Sequence, residues 1–274
     1  MHPDLLRLTD LLREAAATEI MPRFHHVQTS AKADGSVVTE TDAAVQAHLS
    51  RALARAFPGI PLLGEEMTAD EQQRLLGNAD HPVWVLDPLD GTSNYAGGFP
   101  GFGISLALID SGQIVQGAIL DPVRDECFCA RRGAGAWCNG QPITPFAPGP
   151  TPVDCKLGDC LAMIDFKRLP PARIPALFRP GGFRSQRNLG TAALEWAWLA
   201  AGRFQLYMHG GQKLWDYAAG YLIATEAGVA ARRFRPHGTA PATRIDLEPC
   251  LMVAAATPAL LDQWLAFIDL PFSR

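Results

Sequence analysis

The chain lacks any run of basic residues, any uninterrupted apolar stretch near the roughly 20 residues a membrane span requires, and any C-x-x-C pair. Each absence excludes something. Without a basic stripe, nucleic acid is not an expected partner. Without a long apolar run, neither is a membrane. The start, Met1-His2-Pro3-Asp4, shows no basic segment leading into an apolar one, so no signal peptide is expected and the cytoplasm is the expected compartment. The six cysteines, at 127, 129, 138, 155, 160 and 250, have no histidines at zinc-ligand spacing and read as free, buried or half-buried thiols. Charge is sparse as well: 19% of residues are charged, and 24 Lys and Arg face 28 Asp and Glu for a net −4. A small anionic substrate would therefore need a local source of positive charge, such as a metal ion. Hydrophobic residues make up 48% of the 274, which excludes wholesale disorder and suits one large domain or two lobes.

Leu5, Leu8, Leu12, Ala16 and Ile20 recur at helical spacing and predict an amphipathic helix over 4–24. Residues 25–38 read as polar loop with a turn at Asp34-Gly35. A second helix starts at Thr39 or Thr41, presents Val45, Leu49, Ala52, Leu53 and Ala56, and stops at Phe57-Pro58-Gly59. Ile60–Leu63 and Val83–Leu86 read as short buried strands. Residues 103–109, 113–120, 126–130 and 135–138 are runs separated by turn formers, which is the pattern of an antiparallel meander. Four prolines in 145–153 mark a linker between an N-terminal α+β lobe, 1–145, and a C-terminal α/β lobe, 154–274. In the second half, 191–201, 215–227 and 258–268 read as helices, and 204–208 and 250–255 as strands. Interleaved strands and helices predict a layered α/β (α+β) fold.

The chemistry concentrates in Asp87-Pro88-Leu89-Asp90-Gly91-Thr92-Ser93-Asn94, directly after a predicted strand. Two carboxylates and the Leu89 carbonyl are hard oxygen donors of the kind Mg²⁺ takes. Gly91 permits a tight turn, and Thr92–Asn94 could open a helix whose N–H groups face an anion. A strand–turn–helix with capping aspartates would look the same in isolation. Gly64-Glu65-Glu66 adds adjacent carboxylates after another strand, and Trp215-Asp216 opens a helix in the far half. Each has an ordinary alternative, as a solvated acid pair and as a helix cap.

Together, G-E-E, D-P-L-D-G-T-S-N and W-D-Y-A-A-G resemble the inositol monophosphatase family of Mg²⁺-dependent, lithium-sensitive phosphatases, in the family's order. The resemblance implies an α-β-α-β-α sandwich in two lobes, usually a homodimer, acting on a small phosphorylated metabolite. It implies two or three Mg²⁺ per site. Glu65, Asp87 and the Leu89 carbonyl resemble ligands of one metal, Asp87, Asp90 and Asp216 those of a second, and Glu65 serves a weaker third. Asp42 with Thr92 resembles the pair that orients the attacking water, with Glu65 beside it. Gly91, Thr92 and Ser93 match the phosphate cradle. The physics agrees: bound Mg²⁺ offsets the ester's charge and lowers the pKa of its water, and no covalent nucleophile is required.

Lys32, Arg184 and His209 are candidate substrate residues. Lys32 resembles a family lysine on a loop near the metals, and Arg184 precedes a helix in a stretch whose counterpart in the family borders the substrate and the dimer partner. His209 lies seven residues before Asp216, where the animal inositol phosphatases carry a glutamate. A histidine is not a fixed anion, and Lys213 is near in sequence, so the preferred ester need not be inositol phosphate. A 3′(2′),5′-bisphosphate nucleotidase, a fructose-1,6-bisphosphatase, a histidinol-phosphatase and a partner of the transcription machinery are the alternatives within the resemblance.

Overall fold

Leu5, Leu8 and Leu12 are fully buried, and their spacing of three and four puts them on one face of a helix laid along a sheet. The computed structural model describes residues 1–25, 29–31, 37–77, 81–143, 155–235 and 240–269. Helix α1 (Pro3–Ala15) opens with proline, whose missing N–H has no helical partner there in any case. It continues through a wider turn, Ala16–Ile20, and a tighter one, Met21–Arg23, close to the predicted span. A short antiparallel pair, β1 (Thr29–Ala31) and β2 (Val37–Thr39), lies where the sequence suggested only loop. Thr39 then caps α2 (Glu40–Ala56).

Next come β3 (Leu62–Gly64), α3 (Ala69–Gly77), β4 (Val83–Asp90), α4 (Thr92–Ala96), β5 (Gly103–Asp110), β6 (Gln113–Asp121), β7 (Glu126–Arg131), β8 (Gly135–Cys138) and β9 (Gln141–Pro142). They form a seven-stranded sheet in simple chain order, antiparallel except for β3 beside β4. The meander was legible to within about a residue. The expected linker, 145–153, lies outside the described residues, as do the Asp34-Gly35 turn and Lys32.

The second half supplies β10 (Leu161–Asp165), β11 (Ser185–Arg187), α5 (Ala192–Ala200), β12 (Leu206–Gln212), α6 (Leu214–Glu226), β13 (Ala230–Phe234), β14 (Cys250–Ala255) and α7 (Pro258–Ile268). The five-stranded sheet runs β11-β10-β12-β14-β13, with β10 parallel to both its neighbours. Strands β10, β11 and β13 and helix α3 went unread in the sequence.

The layers stack as α1 and α2, the first sheet, α5 and α6, the second sheet, and α7. This is the predicted sandwich. The middle layer packs on both faces, so α5 and α6 are apolar nearly all round and rich in alanine, as a doubly buried helix must be. The central core joins Val85 and Ile119 of the first half to Trp196, Tyr217 and Met252 of the second. All six cysteines are free thiols, buried or half-buried. Among the described residues no helix is long and apolar enough to cross a membrane.

Close approach of α5 and α6 depends on Gly220. A Cβ there would stand 2.3 Å from the Trp196 Cβ. Gly220→Ala should cost about 1–3 kcal/mol through overpacking, read as a lower urea midpoint with an unchanged m-value. A wild-type midpoint would refute the tight contact.

Candidate active site

In a regular strand, residues three apart point to opposite faces. Asp87 and Asp90 nevertheless line one cleft. The reason is a bulge: pairing with β5 steps from Asp87–Ser105 to Asp90–Gly103, three residues against two. Pro88, which cannot donate to the ladder, sits inside it. Asp87 Oδ1 accepts from the Leu89 N–H at 3.1 Å. Asp90 Oδ2 accepts from Thr191 Oγ1 at 2.5 Å and from the Ala193 N–H at 2.6 Å, in the first turn of α5. The chain then turns through Gly91 at φ +87°, where a Cβ would lie 2.7 Å from the Gly101 carbonyl oxygen. Only glycine meets both conditions.

Thr92 opens α4. Its Oγ1 lies 2.8 Å from the Leu89 carbonyl oxygen and 3.3 Å from Asp42 Oδ1. Asp42 is buried and also caps α2: its Oδ2 accepts from the Thr39 N–H at 2.8 Å and from Thr39 Oγ1 at 2.6 Å. The cap thus fixes one carboxylate oxygen and aims the other at Thr92. Glu65 follows β3, and its N–H donates to the Leu86 carbonyl at 3.1 Å, which carries the acid to the mouth of β4. Asp216 is the third residue of α6, where its Oδ2 accepts from the Lys213 N–H at 2.8 Å. Glu65, Asp87, Asp90 and Asp216 border one cavity of about 200 Å³, with Leu89, Gly91, Thr92 and Ser93 beside them.

Packing four carboxylates into one cleft has an electrostatic signature. Burial, then the charges of Glu65, Asp90 and Asp216, push Asp87 well above the usual carboxylate range. Burial, then Asp90 and Glu65, push Asp216 up to about 8. Asp90 is raised by burial in spite of its two hydrogen bonds. Asp42 is raised by burial against the pull of Thr39, and Glu66 adds to the rise. A cation of hard character is what such a donor set fits, because it removes the repulsion and accepts oxygen ligands. Among the described residues, no three His, Cys, Asp or Glu side chains converge tightly enough to hold an ion by themselves. The cleft therefore offers carboxylates in proximity rather than a closed ligand shell.

The far side of the cleft is built by the carboxyl ends of β10, β11 and β12: Asp165, Asn188 and His209, with Arg168 and Lys213. His209 is where the sequence suggested, on the cleft wall. Arg184 is not, and that expectation is corrected. It precedes β11, at the opposite end of the parallel strands, and pairs there with Asp159 at 3.3 Å. Arg168 is the arginine at the cleft. Sequence reading also passed over Asp165, Asn188, Thr191 and Glu195. Thr191 resembled a plain helix start, yet its hydroxyl orients Asp90. Glu195 is fully buried, accepts from the Leu189 N–H at 2.9 Å and is pushed up to about 8, chiefly by burial.

These upward shifts set a pH dependence in chelator-treated protein. The native state holds protons on Asp87, Asp216 and Glu195 that the unfolded chain gives up near pH 4, so stability falls as pH rises from about 4 through about 8. The slope is at most about 1.4 kcal/mol per pH unit for each group. Groups held low, such as Asp246 by its hydrogen bond from Arg235, act below that window. Melting the metal-free protein between pH 5 and 8.5 checks the sign; a Tm that climbs with pH would refute it.

Comparisons with known proteins show the family. The sequence matches the inositol monophosphatase family over residues 5–266. It is 34% identical over 230 residues to "Nus factor SuhB" of Xylella fastidiosa, covering 79% of this chain and 76% of that one. It is 35% identical over 202 residues to an inositol monophosphatase of Dictyostelium discoideum, 70% of each. A solved IMPase/NADP phosphatase complexed with Mg²⁺ and phosphate shares the fold with a TM-score of 0.78, at 23% identity, over 98% of this chain and 97% of that one. The chain belongs to the inositol monophosphatase family and is an enzyme of that hydrolase class.

Proposed function

We propose that the protein hydrolyses small phosphate monoesters with Mg²⁺ held by Glu65, Asp87, the Leu89 carbonyl, Asp90 and Asp216. The observation that carries the reading is the concentration of mutually repelling carboxylates beside a Thr92–Asp42 pair. Bound Mg²⁺ supplies charge neutralisation and a water of lowered pKa. The chain's residues do the rest. With the Leu89 carbonyl turned to a cation, Thr92 would give its single proton to Asp42, which would leave hydroxyl lone pairs free to accept from a water and hold it for attack. Asp42 keeps that hydroxyl oriented because the α2 cap locks its other oxygen. Backbone N–H groups of Gly91, Thr92 and Ser93, which line the cleft, would donate to the phosphoryl oxygens. The Gly91 turn lets the backbone come that close.

The leading substrate class is a sugar or polyol phosphate. The family likeness also suggests two or three Mg²⁺ per site, a homodimer, a cytoplasmic location and sensitivity to lithium. A role as a partner of the transcription machinery has one specific support, the Nus-factor name of the Xylella relative. Retention of all four cleft carboxylates favours the enzyme.

Phosphate release from a panel of esters, with Mg²⁺ and with EDTA, tests the reading. Asp90→Asn keeps an amide oxygen for Thr191 and Ala193 but removes a charge. Turnover should drop at least about a hundredfold because the cation site loses a carboxylate, with the circular dichroism unchanged. The variant should also be the more stable one in EDTA. Undiminished turnover would sink the assignment.

A further inference from the structure

The wall facing the carboxylates is unusual in what it leaves free. Asp165 Oδ1 accepts from the Lys167 N–H at 2.9 Å, and its Oδ2 lies 3.4 Å from His209 Nε2. Burial would raise Asp165, but the hydrogen bond with His209 holds it below the usual carboxylate range. His209 Nδ1 accepts from the Gly211 N–H at 3.3 Å, so the ring carries its proton on Nε2, toward Asp165. Asn188 Oδ1 accepts from the Gly190 N–H at 2.7 Å, which leaves the amide's NH₂. Each of these oxygens and the ring nitrogen therefore already has one protein partner. Three residues with side-chain donors line the same wall, two of them cationic: Arg168, Lys213 and Asn188.

Two features place the residues that carry the cations. Gly210 of β12 lets the Phe166–Arg168 turn cross directly over the strand, since a Cβ there would lie 1.9 Å from the Arg168 carbonyl oxygen. Lys213 follows the irregularity at the end of β12, and its Nζ sits 5.3 Å from the centre of the Trp215 ring. Both flank the carboxyl end of one strand, across the cleft from Asp87 and Asp90.

We propose that this wall is an anion subsite for the leaving alcohol. The ester hydrolysed carries a second negative group, a carboxylate or another phosphate, seated on Arg168, Lys213 and Asn188. A neutral polyol would leave both cations without a counter-charge. An anion uses the donors fully, through charge-assisted bonds and a guanidinium fork.

The inference rests on the phosphatase reading, and the test separates the two. Glycerol 2-phosphate and 2-phosphoglycerate differ only by a hydroxymethyl group against a carboxylate. Fructose 1-phosphate and fructose 1,6-bisphosphate provide the corresponding phosphate arm. In Mg²⁺, at least one anionic ester should exceed its neutral partner in kcat/KM by about tenfold or more, the scale of one hydrogen bond to a charged group. Which arm responds identifies the group. Arg168→Met and Lys213→Met should each shrink that ratio severalfold through KM, and Arg168→Lys should restore part of it. Neutral esters preferred in both arms, or a ratio unmoved by both methionine variants, would overturn the subsite. If no ester is hydrolysed, the phosphatase reading fails instead. Calorimetric titration of the Mg²⁺-loaded protein with the same pairs then decides the subsite: tighter binding of an anionic member upholds it, and equal or weaker binding in both arms overturns it.

Discussion

Everything in the cleft answers to one constraint: four carboxylates from three chain segments crowd together, and burial and the neighbouring charges make the three aspartates harder to ionise. Glu65 comes from the end of β3, Asp87 and Asp90 from the bulge in β4, and Asp216 from the start of α6. No local preference would bring them together, because like charges at close range oppose one another. Packing elsewhere must hold them. The hydrogen bonds show how: Leu89 N–H on Asp87, Ala193 N–H and the Thr191 hydroxyl on Asp90, Lys213 N–H on Asp216, and Thr39 N–H on Asp42. Four of these contacts lie at the N-termini of α2, α5 and α6. Helix starts offer unpaired N–H groups and a favourable field for negative charge, so the architecture partly offsets the repulsion that its own side chains create.

That arrangement explains the layering. To aim the N-termini of α5 and α6 at the acids of β4, those helices have to lie between the two sheets. A helix covered on both sides cannot be amphipathic in the ordinary way. Hence the alanine-rich text of 192–200, the wholly buried Trp196, Tyr217 and Leu222, and the glycine at 220 that lets the two helices touch. Stability and function use the same middle layer. Its sides are core, and its ends are the floor of the site.

The same logic decides what the sequence could reveal. Helices with one wet face, such as α1 and α2, announce themselves by spacing, and the meander announces itself by turns at regular intervals. Strands β10 and β13 do not. Leu161–Asp165 and Ala230–Phe234 are short, show no clean alternation in their text, and follow no strong turn signal. The β1–β2 pair is shorter still. Doubly buried helices such as α5 and α6 were found because their apolar runs exceed strand length, not because of any period.

Within the site, the division is sharper. The acids of β4 lie in one contiguous stretch because a bulge, a glycine turn and a helix start must follow each other along the backbone to place Asp87, Asp90 and Thr92. Such a device has to be written in consecutive residues, and so it can be read. The proposed alcohol subsite is different. Arg168, Asn188, His209 and Lys213 meet only because parallel strands end at the same edge, and adjacency of strands is not encoded in nearby text. Arg184 shows the consequence. It sits three residues from Arg187 and four from Asn188, yet the length of β11 carries it to the opposite end of the sheet. Chemistry that depends on local backbone geometry is therefore legible from the chain, whereas the part that chooses a substrate emerges only when the strands are laid side by side.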